Sequence, residues 1–591
     1  MGFIKGVKIH GFLFKTKFKM FFKIYCGMVF PRCIFSSNFA RKTVPVKPFL
    51  LRNQPLLMSL LAGLLLALSW PARGVPFLAF FALLPLFWVE DHFFHRGMET
   101  RPVRVFLHMW LAFFVFNLLT TWWIMYATVP GMVVAVVLNP VFMAVPWLLM
   151  HLSRRILPGR QGQAALIIFW LSFEYLHALW DLNWSWLDLG NVFATVPALV
   201  QWYEYTGAGG GTVWVLAVNL MLYILLKHRV SFLFVGQASR PPAKVVVARA
   251  VVTLLLLFLP MLVSLLMWHR YQEVHDPVEV VVIQPSHDPY VSVGSQQEAV
   301  ERVRFMMDLA DSRITSRTRF VVAPEGANPQ GIWLDGDEDH FTVQLLRAHI
   351  ERHPGLVWVL GSMTYRLYRE GEPRPPSAMP YRHDTWYDVF NSALMIEGGM
   401  PVAYHHKSKL VPGIERMPFY RVLRPLGRVV AYFGGIQTSM GTQDHREVFR
   451  TAAGEGLAPA VCYESIYGQY MSEYIRGGAG LILIVTNDGW WRNTPGHRQH
   501  HHYARLRAIE ARRSIARSAS TGISSFINQR GEVLQQTAWW EATAISHELN
   551  KNNRLTFFTL QGNYPGKLSL FLSALLLAYM LSQWVMRRGK R

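Results

Sequence analysis

The stretch RAVVTLLLLFLPMLVSLLMWHRYQEVHDPVEVVVI, residues 249–283, changes character part-way along. From Arg249 to Trp268 it carries one charge, at its first residue, and is otherwise apolar or small. About twenty such residues suffice for a helix to cross the hydrocarbon core of a bilayer. Beyond the polar interval 269–276 comes Val278–Ile283, short and rich in valine, which reads as a buried β-strand. The chain therefore leaves a membrane and enters an α/β domain within one short segment, and the rest of the sequence sorts itself on either side.

The bulk composition agrees. Of 591 residues 52% are hydrophobic and only 16% charged, against about a quarter charged in ordinary soluble domains. The formal net charge is +22. A nucleic-acid binder would gather that excess on one folded surface. Here Lys and Arg sit between apolar runs and at the two ends, the membrane pattern, so no nucleic-acid partner is expected. Eight spans are expected, at about 54–71, 74–91, 105–127, 131–151, 163–182, 211–227, 249–268 and 567–586. Arg96, Arg101 and Arg104 follow the second, Arg154, Arg155 and Arg160 the fourth, and Lys227, Arg229, Arg240, Lys244 and Arg249 the sixth; the tail ends in Arg587, Arg588, Lys590 and Arg591. Residues 183–210 hold no Lys or Arg. Basic loops face the cytoplasm, which puts both ends inside and the soluble region outside. The expected organisation is a basic N-terminal extension over 1–53, a seven-span membrane domain over 54–269, an extracytoplasmic domain over 270–566, and a final span with a basic tail over 567–591. The extension has no Asp or Glu. It reads either as an amphipathic membrane-surface arm or as a segment ahead of a start near Met58.

The soluble region alternates strand and helix patterns and reads as one α/β domain. Strands are expected at Val278–Ile283, Phe320–Ala323, Val357–Leu360, Ala460–Cys462 and Leu481–Thr486, and helices at Ser295–Ser312 and His500–Ser518. Of the three cysteines, Cys26 and Cys33 lie in the extension, and Cys462 stands alone in the soluble region. A lone cysteine excludes a disulfide framework there and is a candidate nucleophile. Three segments at or near strand ends each offer one polar residue: VVAPEG (321–326) offers Glu325, YHHKSKLVP (404–412) offers Lys407, and APAVCYES (458–465) offers Cys462.

These segments resemble the three signatures of the nitrilase, or carbon–nitrogen hydrolase, superfamily, whose triad is Glu, Lys and Cys. The resemblance implies an α-β-β-α sandwich, with Glu325 as general base, Lys407 as the cation beside the oxyanion and Cys462 as nucleophile. It narrows further. Lys407 leads Lys-x-x-Leu-Val-Pro, Glu415 follows eight residues later, and Tyr463-Glu464 follow Cys462. Then come TNDGWW (486–491), Gln499-His500 and Arg505-x-Arg507-Ala508-x-Glu510. In an eight-span frame these features resemble the apolipoprotein N-acyltransferase family over nearly all of the chain after residue 54. Where the family expects Phe-Gly-Glu, this chain has Gly413-Ile414-Glu415, which keeps the Glu spacing and changes the turn. The resemblance implies a multi-pass enzyme of the bacterial inner membrane with its catalytic domain on the periplasmic side. Its acyl donor would be a phospholipid and its acceptor a diacylglyceryl lipoprotein, with a thioester on Cys462 between them. Glu415, Tyr463 and Glu464 would support the site, Glu415 by orienting Lys407. Neither cofactor nor metal is expected, and the chain is expected to act as a monomer.

The residue types suit that chemistry. A free thiol has a pKa of about 8.5, so most of it is protonated at neutral pH and needs a base to take its proton. With water as acceptor the same triad would make a membrane-bound amidase, but a soluble hydrolase has no need of eight spans. A non-enzymatic scaffold would tolerate loss of a triad residue, and none is lost. His497, His500, His501 and His502 suggest metal, yet successive helical positions point about 100° apart, and the pair His405–His406 is read the same way. Glu174 lies inside the fifth expected span. It reads as functional by default or as a hydrogen bond between spans. The run Trp122–Tyr126 fits an interfacial aromatic belt.

Overall fold

The computed structural model describes residues 53–95, 101–157, 160–235, 241–382, 384–423 and 439–589. The extension through residue 52, with Cys26 and Cys33, lies outside them.

Helices form in every stretch expected to span. Among the described residues six are long and apolar enough to cross a membrane: Pro76–His95, Pro102–Tyr126, Val129–Arg154, Tyr203–Lys227, Ala243–Arg270 and Tyr564–Arg588. The other two of the expected eight are shorter. Gln54–Ser69 has 16 residues and Gln161–His177 has 17, or roughly 24–26 Å at 1.5 Å per residue against a hydrocarbon core of about 30 Å. The first stops because Pro71 forces Trp70 into an extended conformation (ψ 145°). The second gives way to short 3₁₀ segments at Ser185–Leu187, Leu189–Thr195 and Pro197–Leu199. The next helix then starts at Tyr203, earlier than the expected 211, and runs through a kink at Gly207. Gly207 has φ +61°, and a Cβ there would lie 2.3 Å from the Phe558 ring, so glycine is required.

Glu174 fastens these turns. Its carboxylate accepts from Trp170 Nε1 (2.9 Å), the Leu189 amide (2.8 Å) and Thr212 Oγ1 (2.8 Å). Of its two readings, the hydrogen bond between spans is the one the structure displays.

Among the described residues the α/β domain holds two sheets. The first contains β1 (Pro277–Gln284), β2 (Thr318–Val322), β3 (Ile332–Trp333), β4 (Val357–Tyr368), β5 (Met379–Pro380), β6 (Trp386–Glu397), β7 (Ala403–His406) and β14 (Thr543–Asn550). Its order is β14-β1-β2-β4-β6-β5, with β3 on β4 and β7 on β6. The second contains β8 (Phe449–Arg450), β9 (Gly456–Val461), β10 (Leu481–Thr486), β11 (Ile515–Ala519), β12 (Ser525–Ile527) and β13 (Val533–Gln536). Its order is β13-β12-β11-β10-β9-β8.

Successive residues of a strand face opposite ways, and both faces of these strands are buried. Val280 and Val282 of β1 share a core with Leu481, Leu483 and Val485 of β10, between the sheets. Val281 and Ile283 instead meet Val303 and Met306 of the helix Gln296–Asp311, and Val343 and Leu346 of the helix Phe341–Arg352. Ile482 and Ile484 of β10 join Tyr474 and Tyr503, from the helices Gly468–Arg476 and Pro495–Ala511, in the same core as the membrane helices. This is an α-β-β-α sandwich whose second helical layer is continuous with the membrane domain. The helix expected over 500–518 is corrected. Thr494 caps it and Pro495 begins it, Arg512 ends it in the left-handed region (φ +48°), and 515–519 form β11.

Candidate active site

Three strand ends converge. β2 stops at Val322, and the turn Ala323-Pro324-Glu325-Gly326 brings Glu325 up against β4. A Cβ on Gly361 would lie 2.5 Å from the Glu325 Cα, so the two backbones approach as closely as glycine permits. Lys407 follows β7, and its amide donates to the Asn391 carbonyl of β6 (2.8 Å). Cys462 follows β9 and opens the 3₁₀ turn Cys462–Ile466. It has φ +49°, a conformation that costs a non-glycine residue of order 1–3 kcal/mol and clusters at functional sites. Its carbonyl accepts from Ser465 Oγ (2.7 Å) and lies 3.2 Å from His500 Nε2. His500 Nδ1 is 2.9 Å from Asp488, whose other oxygen accepts from Arg517 (2.6 Å).

The Lys407 ammonium stands between two carboxylates, 2.8 Å from Glu415 Oε1 and 3.5 Å from Glu325 Oε1. Asn391 Nδ2 donates to both, at 2.6 Å to Glu325 and 2.8 Å to Glu415. The Asn487 amide donates to Glu325 Oε2 (3.0 Å) and the Val411 amide to Glu415 Oε2 (2.8 Å). Gly413, with φ +82°, makes the turn that returns Glu415 to Lys407, so the altered Gly-Ile-Glu sequence still delivers the carboxylate.

Tyr463 and Glu464 are anchored elsewhere. Tyr463 Oη donates to the Asn183 carbonyl (2.9 Å). Glu464 lies beneath the Cys462 turn, accepting from the amides of Val461 (2.9 Å) and Ser408 (2.7 Å) and from Tyr470 Oη, with His405 Nε2 at 3.1 Å. Burial works against its charge, but His405 and these donors hold its pKa down at about 2. It ties the Cys462 turn to the Lys407 strand.

Burial alone would lower the Lys407 pKa, but Glu415 and Glu325 hold it above its ordinary value. Burial pushes the Cys462 thiol up, and Glu325 adds to this while Lys407 opposes it. A raised thiol pKa moves thiolate formation to higher pH. Iodoacetamide labelling of Cys462, followed by the mass of its peptide, should therefore accelerate up to about pH 10 without a plateau. A plateau below pH 8 would mean that Lys407 prevails and the resting group is a thiolate.

The N-terminal part of the chain matches the apolipoprotein N-acyltransferase N-terminal domain over residues 62–221, and the C-terminal part matches the carbon-nitrogen hydrolase domain over 287–554. The chain belongs to the apolipoprotein N-acyltransferase family. The apolipoprotein N-acyltransferase of Chlorobaculum tepidum is 27% identical over 526 residues, covering 86% of this chain and 93% of that protein. Its counterpart in Geobacter metallireducens is 26% identical over 524 residues, covering 86% and 91%. That of Thermotoga maritima is 22% identical over 535 residues, covering 88% and 92%. As a family member the chain is an acyltransferase, set in a multi-pass membrane frame.

Sequence reasoning missed Asn391, which bridges the two carboxylates, and the Arg517–Asp488–His500 chain behind Cys462. Asn391 lies inside a strand with no motif around it, and the local pattern extends a helix through Arg517 although that helix ends at Ala511. The histidine run points in several directions, His500 to Asp488 and His501 to Ser525 Oγ (3.0 Å). His405 joins Glu464, and His406 Nδ1 lies 2.7 Å from Ser392 Oγ. A cluster unnoticed in the sequence, Asp311, His349 and His353, places its ligand atoms within 4.8 Å of one another on the outer helical layer. There Trp358 Nε1 donates to His349 Nδ1 (3.3 Å). The imidazole proton is thereby left on Nε2, facing Asp311 at 2.8 Å, which is a hydrogen bond and not a ligand set.

A cavity of about 980 Å³ opens beside the Lys407 loop, with Phe390, His406, Leu410, Arg416, Met417 and Phe419 in its lining.

Proposed function

We propose that the chain transfers a fatty acyl group from a phospholipid to the α-amino group of the N-terminal diacylglyceryl-cysteine of lipoproteins, by a ping-pong cycle through a thioester on Cys462. The observation that carries this reading is the Lys407 ammonium held between the Glu325 and Glu415 carboxylates, with Cys462 presented on a strained turn that Tyr463 fastens to the apolar helical domain at Asn183. The cycle starts with a neutral thiol. Glu325 takes its proton as sulfur attacks the ester carbonyl, and the Lys407 ammonium and backbone N–H groups stabilise the oxyanion. The C–O bond breaks, the lysophospholipid oxygen leaves with the proton from Glu325, and a thioester remains. The acceptor's α-amine, with an ordinary pKa of about 7.7–8.0, is partly neutral at physiological pH. Its nitrogen attacks the thioester, Glu325 collects the amine proton, and that proton returns to the departing sulfur as the amide forms. One carboxylate serves both half-reactions. Glu415 keeps Lys407 charged and aimed, Asn391 keeps the carboxylates apart, and Glu464 and Tyr463 fix the Cys462 turn. The mixed apolar and polar lining beside Lys407 supports this region as the place where the lipid is received.

The loop charges support an inner-membrane enzyme with its α/β domain on the periplasmic side, in which the shorter helices Gln54–Ser69 and Gln161–His177 also cross. The chain acts as a monomer in this reading.

Incubation with phospholipid alone should yield lysophospholipid and one acyl mass on the Cys462 peptide, removable by hydroxylamine. Adding a diacylglyceryl-cysteine peptide should discharge that group onto its α-amine. Release of free fatty acid with the peptide unmodified would instead make the chain an amidase-type hydrolase.

A further inference from the structure

The turn Ala178–Asn183, directly after the helix Gln161–His177, touches both sides of the site. On one side it holds the Lys407–Glu415 loop. Lys409 Nζ donates to the Ala178 carbonyl (2.8 Å), Arg416 Nη2 to Asp181 Oδ1 (2.6 Å) and the Phe419 amide to Asp181 Oδ2 (2.9 Å). The Trp180 and Phe419 rings meet edge to face, 6.1 Å apart. On the other side it holds the Cys462 turn. Tyr463 Oη donates to the Asn183 carbonyl (2.9 Å) and Tyr467 Oη to Asn183 Oδ1 (2.7 Å).

The turn is itself braced. Trp180 Nε1 donates to His177 Nδ1 (2.9 Å), and the Asn183 amide and Nδ2 both donate to the Trp180 carbonyl (3.1 Å each). Its anchors sit next to the residues that matter. Arg416 adjoins Glu415, Tyr463 adjoins Cys462, and Lys409 is two residues from Lys407. Two positions, Asp181 and Asn183, therefore separate the attachment of the Lys407 loop from that of the Cys462 turn.

We infer that Asp181 and Asn183 are positioning residues for acyl transfer: the turn that carries them sets the distance between the Lys407–Glu415 ion pair and the Cys462 sulfur. The inference rests on the proposed function, and it makes the membrane domain a part of the site as well as its anchor. The Asp181–Arg416 pair is about a third exposed, and pairs of that kind contribute little to stability. Its removal should leave the fold standing and loosen the geometry. A misplacement of about 1 Å costs up to roughly a hundredfold in rate.

The test uses the full-length protein in lipid, with single-turnover acylation of Cys462 by phospholipid and the thermal midpoint read side by side. Asp181→Ala and Arg416→Gln should each slow acylation at saturating phospholipid about tenfold or more, with the thermal midpoint near wild type. The double variant should be no slower than Asp181→Ala, because Arg416→Gln breaks only a contact that Asp181→Ala already removes. Asp181→Glu should recover most of the rate. Asn183→Ala, which removes the Tyr467 contact and the side-chain bond to the Trp180 carbonyl but keeps the carbonyl that Tyr463 uses, should show a smaller loss of the same kind. Wild-type rates in both Asp181→Ala and Arg416→Gln would overturn the inference, and so would a rate loss that follows a fall in thermal midpoint. If wild-type Cys462 takes no acyl group at all, the proposed function fails first. If it does and the variants match it, only the positioning role fails.

Discussion

Cys462→Ala should lower acyl transfer at least about a thousandfold, as removal of a nucleophile from a cooperating triad does, while the protein still folds. Alanine keeps the Cβ, so the turn at φ +49° carries no more strain than before. Only one sulfur is lost from a site that is 6% exposed. Cys462→Ser is the more informative change. A serine hydroxyl is far harder to deprotonate than a thiol, and an oxygen ester is a poorer acyl donor to an amine than a thioester. The serine variant should therefore be nearly inactive and retain a slowly discharged acyl ester, visible as a mass increase that neutral hydroxylamine removes far more slowly. The measurement is acylated peptide formed per minute from phospholipid and a diacylglyceryl-cysteine peptide. Transfer by Cys462→Ala at the wild-type rate would replace the covalent cycle with direct transfer in a ternary complex.

The parts of this fold that were legible are those written in local pattern. The run 249–268 has the length and composition of a span, and Leu481–Thr486 is continuous apolar chain whose bounds match β10 residue for residue. The Glu, Lys and Cys segments were legible because each lies at a strand end in recognisable sequence. The misses arise where tertiary contact outweighs local pattern. Residues 515–519 continue a helical-looking stretch, yet Ile515–Ala519 pairs in parallel with β10, and Arg512 in the left-handed region breaks the helix before it. β6 has polar Asp388, Asn391 and Ser392 among its apolar residues, so nothing in the sequence shows that Asn391 faces two carboxylates. The sequence makes the helix Gln161–His177 look longer because Ala178, Leu179 and Trp180 extend its apolar run. They are instead the turn that meets Lys409 and Phe419, a role set by the other domain.

Glu325→Gln should separate thiol reactivity from acyl transfer. The carboxylate receives donors only: Asn391 Nδ2 and Lys407 Nζ at one oxygen and the Asn487 amide at the other. An amide in its place must turn its NH₂ group toward one of these donors, so glutamine matches the shape without the hydrogen bonding. It also cannot take a proton. Loss of a general acid–base group costs about 10²–10⁴-fold, and here the same group is needed twice, once for the thiol proton and once for the departing lysophospholipid oxygen. Acylation of Cys462 should fall by that factor. The thiol itself should move the other way. Glu325 is among the groups that raise the Cys462 pKa, and Lys407 lowers it; with the carboxylate gone, the ammonium acts with less opposition and the thiolate becomes more accessible. Labelling by iodoacetamide at neutral pH should then be at least as fast as in the wild type, although transfer is nearly lost. If labelling and acylation fall together, Glu325 acts by generating the thiolate alone. If thioester forms at the wild-type rate, Glu325 is not the base, and the proton must leave by way of Glu415 or water.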